Sequence, residues 1–370
     1  MVTKQKEQMT KVSSRARRAA RLASGLLALA AVLVHCQSET QSVELPLLPL
    51  AGAADNLDQD LTDALARNQV TTPVIAVNES DAVVELGRAL FFDKILSGDK
   101  NISCASCHHP TAGTGDALPV SIGAGGSGGT ADRIVAGGVM IPRNAPPLFN
   151  LGAPSANRMF WDGRVHRDAT TGELTTPETG LNGPSPSLGA IAVQLTTPLA
   201  AQAMFPVTSD TEMRGNTGNE VRDAVGNEAI WAALMARLVG TGNGSAGGIA
   251  EYRSLFSAAF PDVTNYDDFN FGHAARAMAA FQISAYTAVN SPLDNFIAGN
   301  TAAMSDSAKR GGLAFLGRRT GCARCHSGPL LSNFDFHAVA NPQLGPGAGG
   351  ELDDRGLALV FYGTRQRCQC

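Results

Sequence analysis

Aromatic side chains, excess positive charge and long apolar runs are all scarce in this 370-residue sequence. Phe, Trp and Tyr make up 6% of the residues and glycine occurs 40 times, which predicts long loops. Beyond the N-terminal region no run of about 18 apolar residues occurs, which excludes a membrane span there. The net charge of −4 makes the chain a poor match for nucleic acid. Sustained alternation of apolar and polar residues is missing too, so the sequence predicts a mainly helical protein.

The N-terminal region is basic and then apolar. Residues 1–36 contain seven Lys or Arg and one Glu, and they include an apolar run from Leu22 to Val34. This order is typical of a secretory signal and predicts a periplasmic protein; a buried helix is the alternative. Cys36 lies where a lipoprotein would be cleaved, but His35 replaces the usual small residue, so a lipid anchor and plain export both stay open. Without residues 1–36 the net charge is −10, which would attract a basic protein partner.

Four of the seven cysteines form two Cys-x-x-Cys pairs, and a histidine follows each pair at once. The two motifs are Cys104, Cys107 and His108, and Cys322, Cys325 and His326. Two thiols at this spacing can add to the vinyl groups of one porphyrin, and the adjacent histidine then lies under the iron. The alternative is a pair of zinc-binding or redox sites. Export favours the first interpretation, which predicts two covalently bound haem c groups.

An ordered series of short motifs surrounds these sites and resembles the bacterial di-haem cytochrome c peroxidases. The motifs are Leu86-Gly87, Leu90-Phe91-Phe92-Asp93, Leu96-Ser97-Gly98, Arg143-Asn144-Ala145-Pro146, Phe160-Trp161-Asp162-Gly163-Arg164, Gln202-Ala203, Glu212-Met213 and Ser291-Pro292-Leu293-Asp294. The likeness runs from about residue 81 to 355. The methylamine-utilisation (MauG-like) di-haem enzymes, which oxidise a protein substrate, share most of these motifs. The resemblance therefore leaves two related activities open.

The resemblance implies a mainly α fold with two cytochrome-c-like haem domains. We expect a signal segment over residues 1–36, a lead-in over 37–80, a peroxidatic domain over 81–270 with a long loop at 163–200, and an electron-transfer domain over 271–370. The spacing of apolar residues predicts helices over residues 81–93, 219–239, 252–259, 271–289 and 305–316.

The resemblance also implies roles for four polar or aromatic residues. Peroxide cleavage needs a group that moves a proton between its oxygens, and Glu212 is that general acid–base, with Gln202 orienting the peroxide. Trp161 would relay electrons between the haems, and Asn144 would bind calcium. The residues alone favour a surface carboxylate at Glu212, and they also allow a core tryptophan at 161 and a turn asparagine at 144. The implied activity is reduction of hydrogen peroxide with electrons from a small cytochrome c or cupredoxin, and a homodimer is a further expectation.

Two departures from the family pattern qualify this expectation. Many of these peroxidases carry a removable distal histidine in a Ser-Ile-Gly-His segment, but here Ser121-Ile122-Gly123 is followed by Ala124. His109 and His166 are the remaining candidates for that position. The first haem is therefore expected to be five-coordinate, as in the methylamine-utilisation enzymes.

The second departure is the short distance from the second motif to the C-terminus. Only 44 residues follow His326, and none is methionine, which leaves His337 and Tyr362 as candidate sixth ligands of the second haem. We expect a shortened C-terminal domain, which a truncation or a frame shift would explain. A di-haem electron carrier without turnover and an inactive product are accordingly alternative functions.

Overall fold

The computed structural model of the chain describes residues 56–129, 132–134, 138–141, 143–242 and 247–337. The predicted signal segment, Cys36 and Tyr362 lie outside these ranges. The described residues are mainly helical, as predicted. The α-helices are α1 Leu57–Arg67, α2 Asp81–Phe92, α3 Cys104–Cys107, α4 Gly189–Ala192, α5 Pro198–Ala203, α6 Glu220–Asp223, α7 Asn227–Val239, α8 Ala250–Ala259, α9 Phe271–Ala285, α10 Pro292–Ile297 and α11 Asp306–Leu316. Among the described helices, none is long and apolar enough to cross a bilayer.

The larger hydrophobic core lies where α2 packs against α9, with α7 and α8 beside them. Leu86 and Leu90 of α2 are fully buried, four residues apart, as expected for one face of a helix. The facing surface of α9 consists largely of buried alanines. These small side chains let the two backbones approach closely. The approach is so close that a Cβ atom at Gly87 would lie 1.9 Å from the Ala277 carbonyl oxygen. The first Cys-x-x-Cys-His motif follows α2 and is held by this core.

We expect Gly87→Ala to destabilise the fold by about 1–3 kcal/mol, because the added methyl group has no space between α2 and α9. The matched control is Gly189→Ala at the exposed start of α4, where a Cβ atom would meet nothing within 4 Å. That control should stabilise the protein by about 0.5–1 kcal/mol, since alanine favours helix over glycine. Denaturant unfolding of both variants measures the difference. Equal stabilities would contradict the close packing of the two helices.

A second hydrophobic cluster joins α1 to α10 and α11. Leu61 and Leu65 of α1 are buried against Phe296 and Leu316, and the Lys309 ammonium pairs with the Asp58 carboxylate beside them. The sequence placed these α1 residues in an exposed lead-in with some helical potential. The helix is present, but it is part of the core under the second Cys-x-x-Cys-His motif, because its apolar face meets a partner about 250 positions away in the sequence.

Three other elements differ from the sequence expectation. The loop predicted over residues 163–200 contains α4, and an antiparallel sheet of strands β1 Arg158–Met159, β2 Val165–Arg167 and β3 Leu174–Thr175 reaches into it. Strands of two or three residues are too short to show alternation. The helix predicted over 219–239 is divided between α6 and α7, because Gly226 has a positive φ of 84°. Helix α9, expected to start the second domain, packs against α2 in the larger hydrophobic core.

Candidate functional site

The two motif histidines are oriented in the same way. The His108 ring donates from Nδ1 to the carbonyl oxygen of Thr114 at 3.0 Å. The His326 ring donates from Nδ1 to the carbonyl oxygen of Leu331 at 3.1 Å. A carbonyl only accepts, so Nδ1 carries the proton and Nε2 keeps its lone pair for a metal. This is the usual second contact of a metal-binding histidine, and both motifs therefore fit an axial role toward iron.

The first motif lies in an apolar setting that suits a porphyrin edge. Cys104 and Cys107 lie on the single turn of α3. Around Cys104 and Ala105 the side chains of Phe91, Leu148 and Phe281 form a hydrophobic cluster. Burial, and then the neighbouring thiol, raises the pKa of Cys104 to about 12. Burial also lowers the pKa of His108, which favours the neutral imidazole that binds iron.

The second motif borders an apolar cavity. The cavity has a volume of about 260 Å³ and is lined by Leu61, Leu65, Leu293, Met304, Gly311, Gly312, Phe315, Leu316 and Leu331. The Phe315 ring lies 5.5 Å from the His326 ring, and Leu331 accepts the hydrogen bond from that histidine. Apolar walls beside a correctly oriented histidine fit a second haem c.

Glu212 is placed at the first motif. Burial raises the pKa of Cys107 to about 11, the charge of Arg133 opposes this shift, and the charges of Asp116 and Glu212 add to it, so the Glu212 carboxylate lies near that thiol. Burial raises the pKa of Glu212 above the usual glutamate range, and the positive charge of Arg164 opposes this shift. A half-buried carboxylate whose pKa is raised can both accept and return a proton, as a general acid–base must.

The turn that carries Glu212 is fixed on both sides. The Ala124 amide donates to the carbonyl of Thr211 at 2.9 Å, and the Gly98 amide donates to the carbonyl of Met213 at 2.8 Å. Both donors belong to segments around the first motif. A glutamate held through its two neighbours in the chain keeps a constant position relative to His108.

The other two expected catalytic residues are placed differently. Gln202 is half-buried on α5. Trp161 is 40% exposed, and the Arg143 guanidinium lies 4.0 Å from the centre of its ring. Its neighbour Phe160 has a positive φ of 64° and is stacked by Arg164 at 3.7 Å. The tryptophan thus lies at the surface beside the Arg143 cation, and its relay role stays a prediction.

The remaining sequence candidates have structural contacts of their own. Asn144 is exposed, and among the described residues no cluster of three or more His, Cys, Asp or Glu side chains could hold a metal ion, so calcium stays a prediction. The His166 ring contacts the Gly163 carbonyl at 3.1 Å, and the His109 ring contacts the Thr111 hydroxyl at 2.8 Å. His337 is exposed and bonded to Asn333.

Sequence reasoning missed three charged residues at the first motif: Asp116, Arg133 and Arg164. The charges of Asp116 and Arg133 act on the Cys107 thiol, and the charge of Arg164 acts on Glu212. Arg164 belongs to the Phe-Trp-Asp-Gly-Arg motif, which was a usable signal. Asp116 and Arg133 lie in segments without periodicity, where the sequence offers no signal of burial.

Comparison with known proteins shows the family of the chain. Residues 81–302 match the sequence profile of the di-haem cytochrome c peroxidases. The methylamine utilization protein MauG of Methylorubrum extorquens is 29% identical over 269 residues, covering 73% of this chain and 54% of that protein. Cytochrome c551 peroxidase of Pseudomonas aeruginosa is 28% identical over 261 residues, covering 70% and 55%.

Among solved structures, the diheme peroxidase BthA of Burkholderia thailandensis has 19% identity and a TM-score of 0.47, covering 74% of this chain and 59% of that one. The chain spans about half the length of the curated relatives it matches.

Proposed function

Because the chain belongs to the di-haem cytochrome c peroxidase family, whose members carry two covalently bound c-type haems, we propose that it reduces hydrogen peroxide to water. In this proposal Cys104 and Cys107 attach the peroxidatic haem and His108 is its axial ligand. A second haem on Cys322, Cys325 and His326 receives electrons from a small cytochrome c or cupredoxin. Export to the periplasm, with or without a lipid anchor at Cys36, is part of the same proposal.

The observation that supports the proposal is the position of Glu212 near Cys107, where it is half-buried and its pKa is raised. When bound, a haem iron supplies the coordination position for peroxide and the electrons that cleave its O–O bond. Glu212 takes the proton from the inner peroxide oxygen and returns it to the outer oxygen, which leaves as water. Gln202 orients the peroxide, and Trp161 conducts electrons between the two centres.

The proposal predicts a pH dependence that Arg164 controls. Glu212 must be ionised to accept the first proton, so the rate of peroxide consumption should rise with pH through an apparent pKa above the usual glutamate range. Arg164→Gln removes the cation that opposes the effect of burial. The inflection of the pH–rate profile should therefore move to higher pH. Arg319→Gln, at an exposed arginine outside the site, is the control; a shift of the same size in both variants would contradict the assignment.

Rapid mixing tests the activity itself. The fully reduced holoprotein is mixed with peroxide and a reduced small cytochrome c, and donor oxidation is followed by absorbance. We expect two donor molecules oxidised per peroxide. A donor that stays reduced while both haems are present would refute the peroxidase function.

A second candidate function is oxidation of a protein or organic substrate, as in the MauG-like enzymes. The exposure of Trp161 favours it, because electrons can then be exchanged with a large substrate at the surface. An oxidised state that persists for minutes after peroxide is added without donor would support this activity.

A further inference from the structure

Arg133 is a buried arginine whose guanidinium donates hydrogen bonds to three backbone carbonyl groups. Its residue is 3% exposed. The guanidinium donates from Nε to the carbonyl of Ile122 at 2.8 Å, from Nη2 to the carbonyl of Gly123 at 2.9 Å, and from Nη1 to the carbonyl of Gly128 at 3.2 Å. A buried arginine is costly unless its donors are satisfied, and here two of them hold the carbonyls of residues 122 and 123 while a third holds Gly128 further along the loop.

Arg133 holds the segment Ser121–Ala124, which the family resemblance matches to a Ser-Ile-Gly-His segment. Residues 121–124 pair with residues 139–141: the Gly123 amide donates to the Val139 carbonyl at 2.8 Å, and the Val139 amide donates to the Ala124 carbonyl at 2.9 Å. Arg133 binds the same segment through the carbonyls of Ile122 and Gly123. The backbone of residues 121–124 is therefore hydrogen-bonded both to residues 139–141 and to Arg133.

The same segment also contacts the turn that carries Glu212. Ala124 donates to the Thr211 carbonyl, and a Cβ atom at Gly123 would lie 1.8 Å from the same oxygen, so the two backbones are in direct contact. The charge of Arg133 also acts on Cys107, which places the guanidinium near the first haem attachment site. The chain of contacts from Arg133 through Ala124 to the Glu212 turn is continuous.

We propose that Arg133 is a positioning residue that holds the Ser121–Ala124 segment against Thr211 and thereby keeps Glu212 shielded from water and close to the first haem attachment site. This inference rests on the proposed function of Glu212. It also explains why a segment with alanine in place of histidine is fixed so firmly: here the segment supports the acid–base group.

The test uses Arg133→Met, which keeps the side-chain length and removes the donors, Arg133→Lys, which keeps the charge, and Arg319→Met as the control. Haem content, the pH–rate profile with peroxide, the rate of cyanide binding to the oxidised holoprotein and amide deuterium exchange are measured.

For Arg133→Met we expect faster exchange at residues 121–124 and 209–214. Peroxide consumption should fall by about tenfold or more, since small misplacements of catalytic groups are costly. Its apparent pKa should fall towards the usual glutamate value as the turn opens to water. The exchange rates, the rate of peroxide consumption and the apparent pKa of Arg133→Lys should lie between those of the wild type and those of Arg133→Met.

Several outcomes would overturn the inference. If Arg133→Met keeps two haems and speeds exchange only at residues 121–124, with an unchanged pH–rate profile, the arginine is merely structural. If Arg133→Met fails to incorporate haem, Arg133→Lys decides, and a wild-type pH profile and exchange pattern in that variant would refute the role. A wild-type protein that does not consume peroxide refutes the proposed function instead, and the exchange and cyanide measurements then still decide on Arg133.

Discussion

Glu212→Gln is expected to slow peroxide consumption by a factor of about 10²–10⁴, the range that general acid–base catalysis contributes. Glutamine has nearly the same size and fits the same buried position, so the turn between Thr211 and Met213 should be retained. What the amide loses is the ability to accept a proton at any working pH. The variant should therefore bind both haems and lack the pH dependence that the raised pKa of Glu212 predicts.

The measurement is stopped-flow consumption of peroxide across a pH series, with Glu228→Gln as the matched control. Glu228 is exposed at the start of α7 and takes no part in the site. The control should keep the wild-type rate. If Glu212→Gln keeps it as well, the acid–base group is another residue, and Asp116, buried near Cys107, becomes the next candidate.

Removing the first thiol pair is expected to abolish the reaction with peroxide, while electron uptake at the second motif is retained. The double substitution Cys104→Ala and Cys107→Ala should leave one covalent haem in place of two and eliminate the reaction with peroxide. The physical reason is that the thioether bonds fix the porphyrin beside His108 and Glu212, and no other described cysteines are near. The remaining haem should still accept electrons from a small donor.

The reciprocal pair, Cys322→Ala and Cys325→Ala, is the control. It should also retain one haem, but one that meets peroxide and cannot be re-reduced by the donor. Pyridine haemochrome spectra give the stoichiometry, and haem staining of denatured gels shows that the bond is covalent. Two haems remaining in either double variant would contradict the attachment sites, and peroxide turnover after loss of the first pair would assign the peroxidatic role to the second.

The sequence was sufficient for features encoded by neighbouring residues. Covalent attachment depends on two thiols and a histidine within five positions, so Cys104 to His108 could be identified without any structure. The same holds for α2, where apolar residues recur at helical spacing from Val83 to Phe91 and Ser80 caps the first turn. The Glu212 assignment came from the family resemblance, and the structure then placed that carboxylate at Cys107.

Other features depend on residues far apart in the chain. Helix α1 became part of the core only because Leu61 meets Leu316. The partners of the motif histidines, the carbonyls of Thr114 and Leu331, are backbone groups that carry no sequence signal. The contact of Arg133 with Ile122 arises from the return of the chain through an irregular segment.

By itself, therefore, the sequence determined the covalent chemistry, the helical character and the family, because each follows from side-chain identity at short spacing. The tertiary structure alone decided which carboxylate loses contact with water, which cation favours its ionisation and which arginine holds its turn. Burial, charge and backbone hydrogen bonding in a folded chain are set by the segments that pack around a residue, and those segments come from distant parts of the sequence.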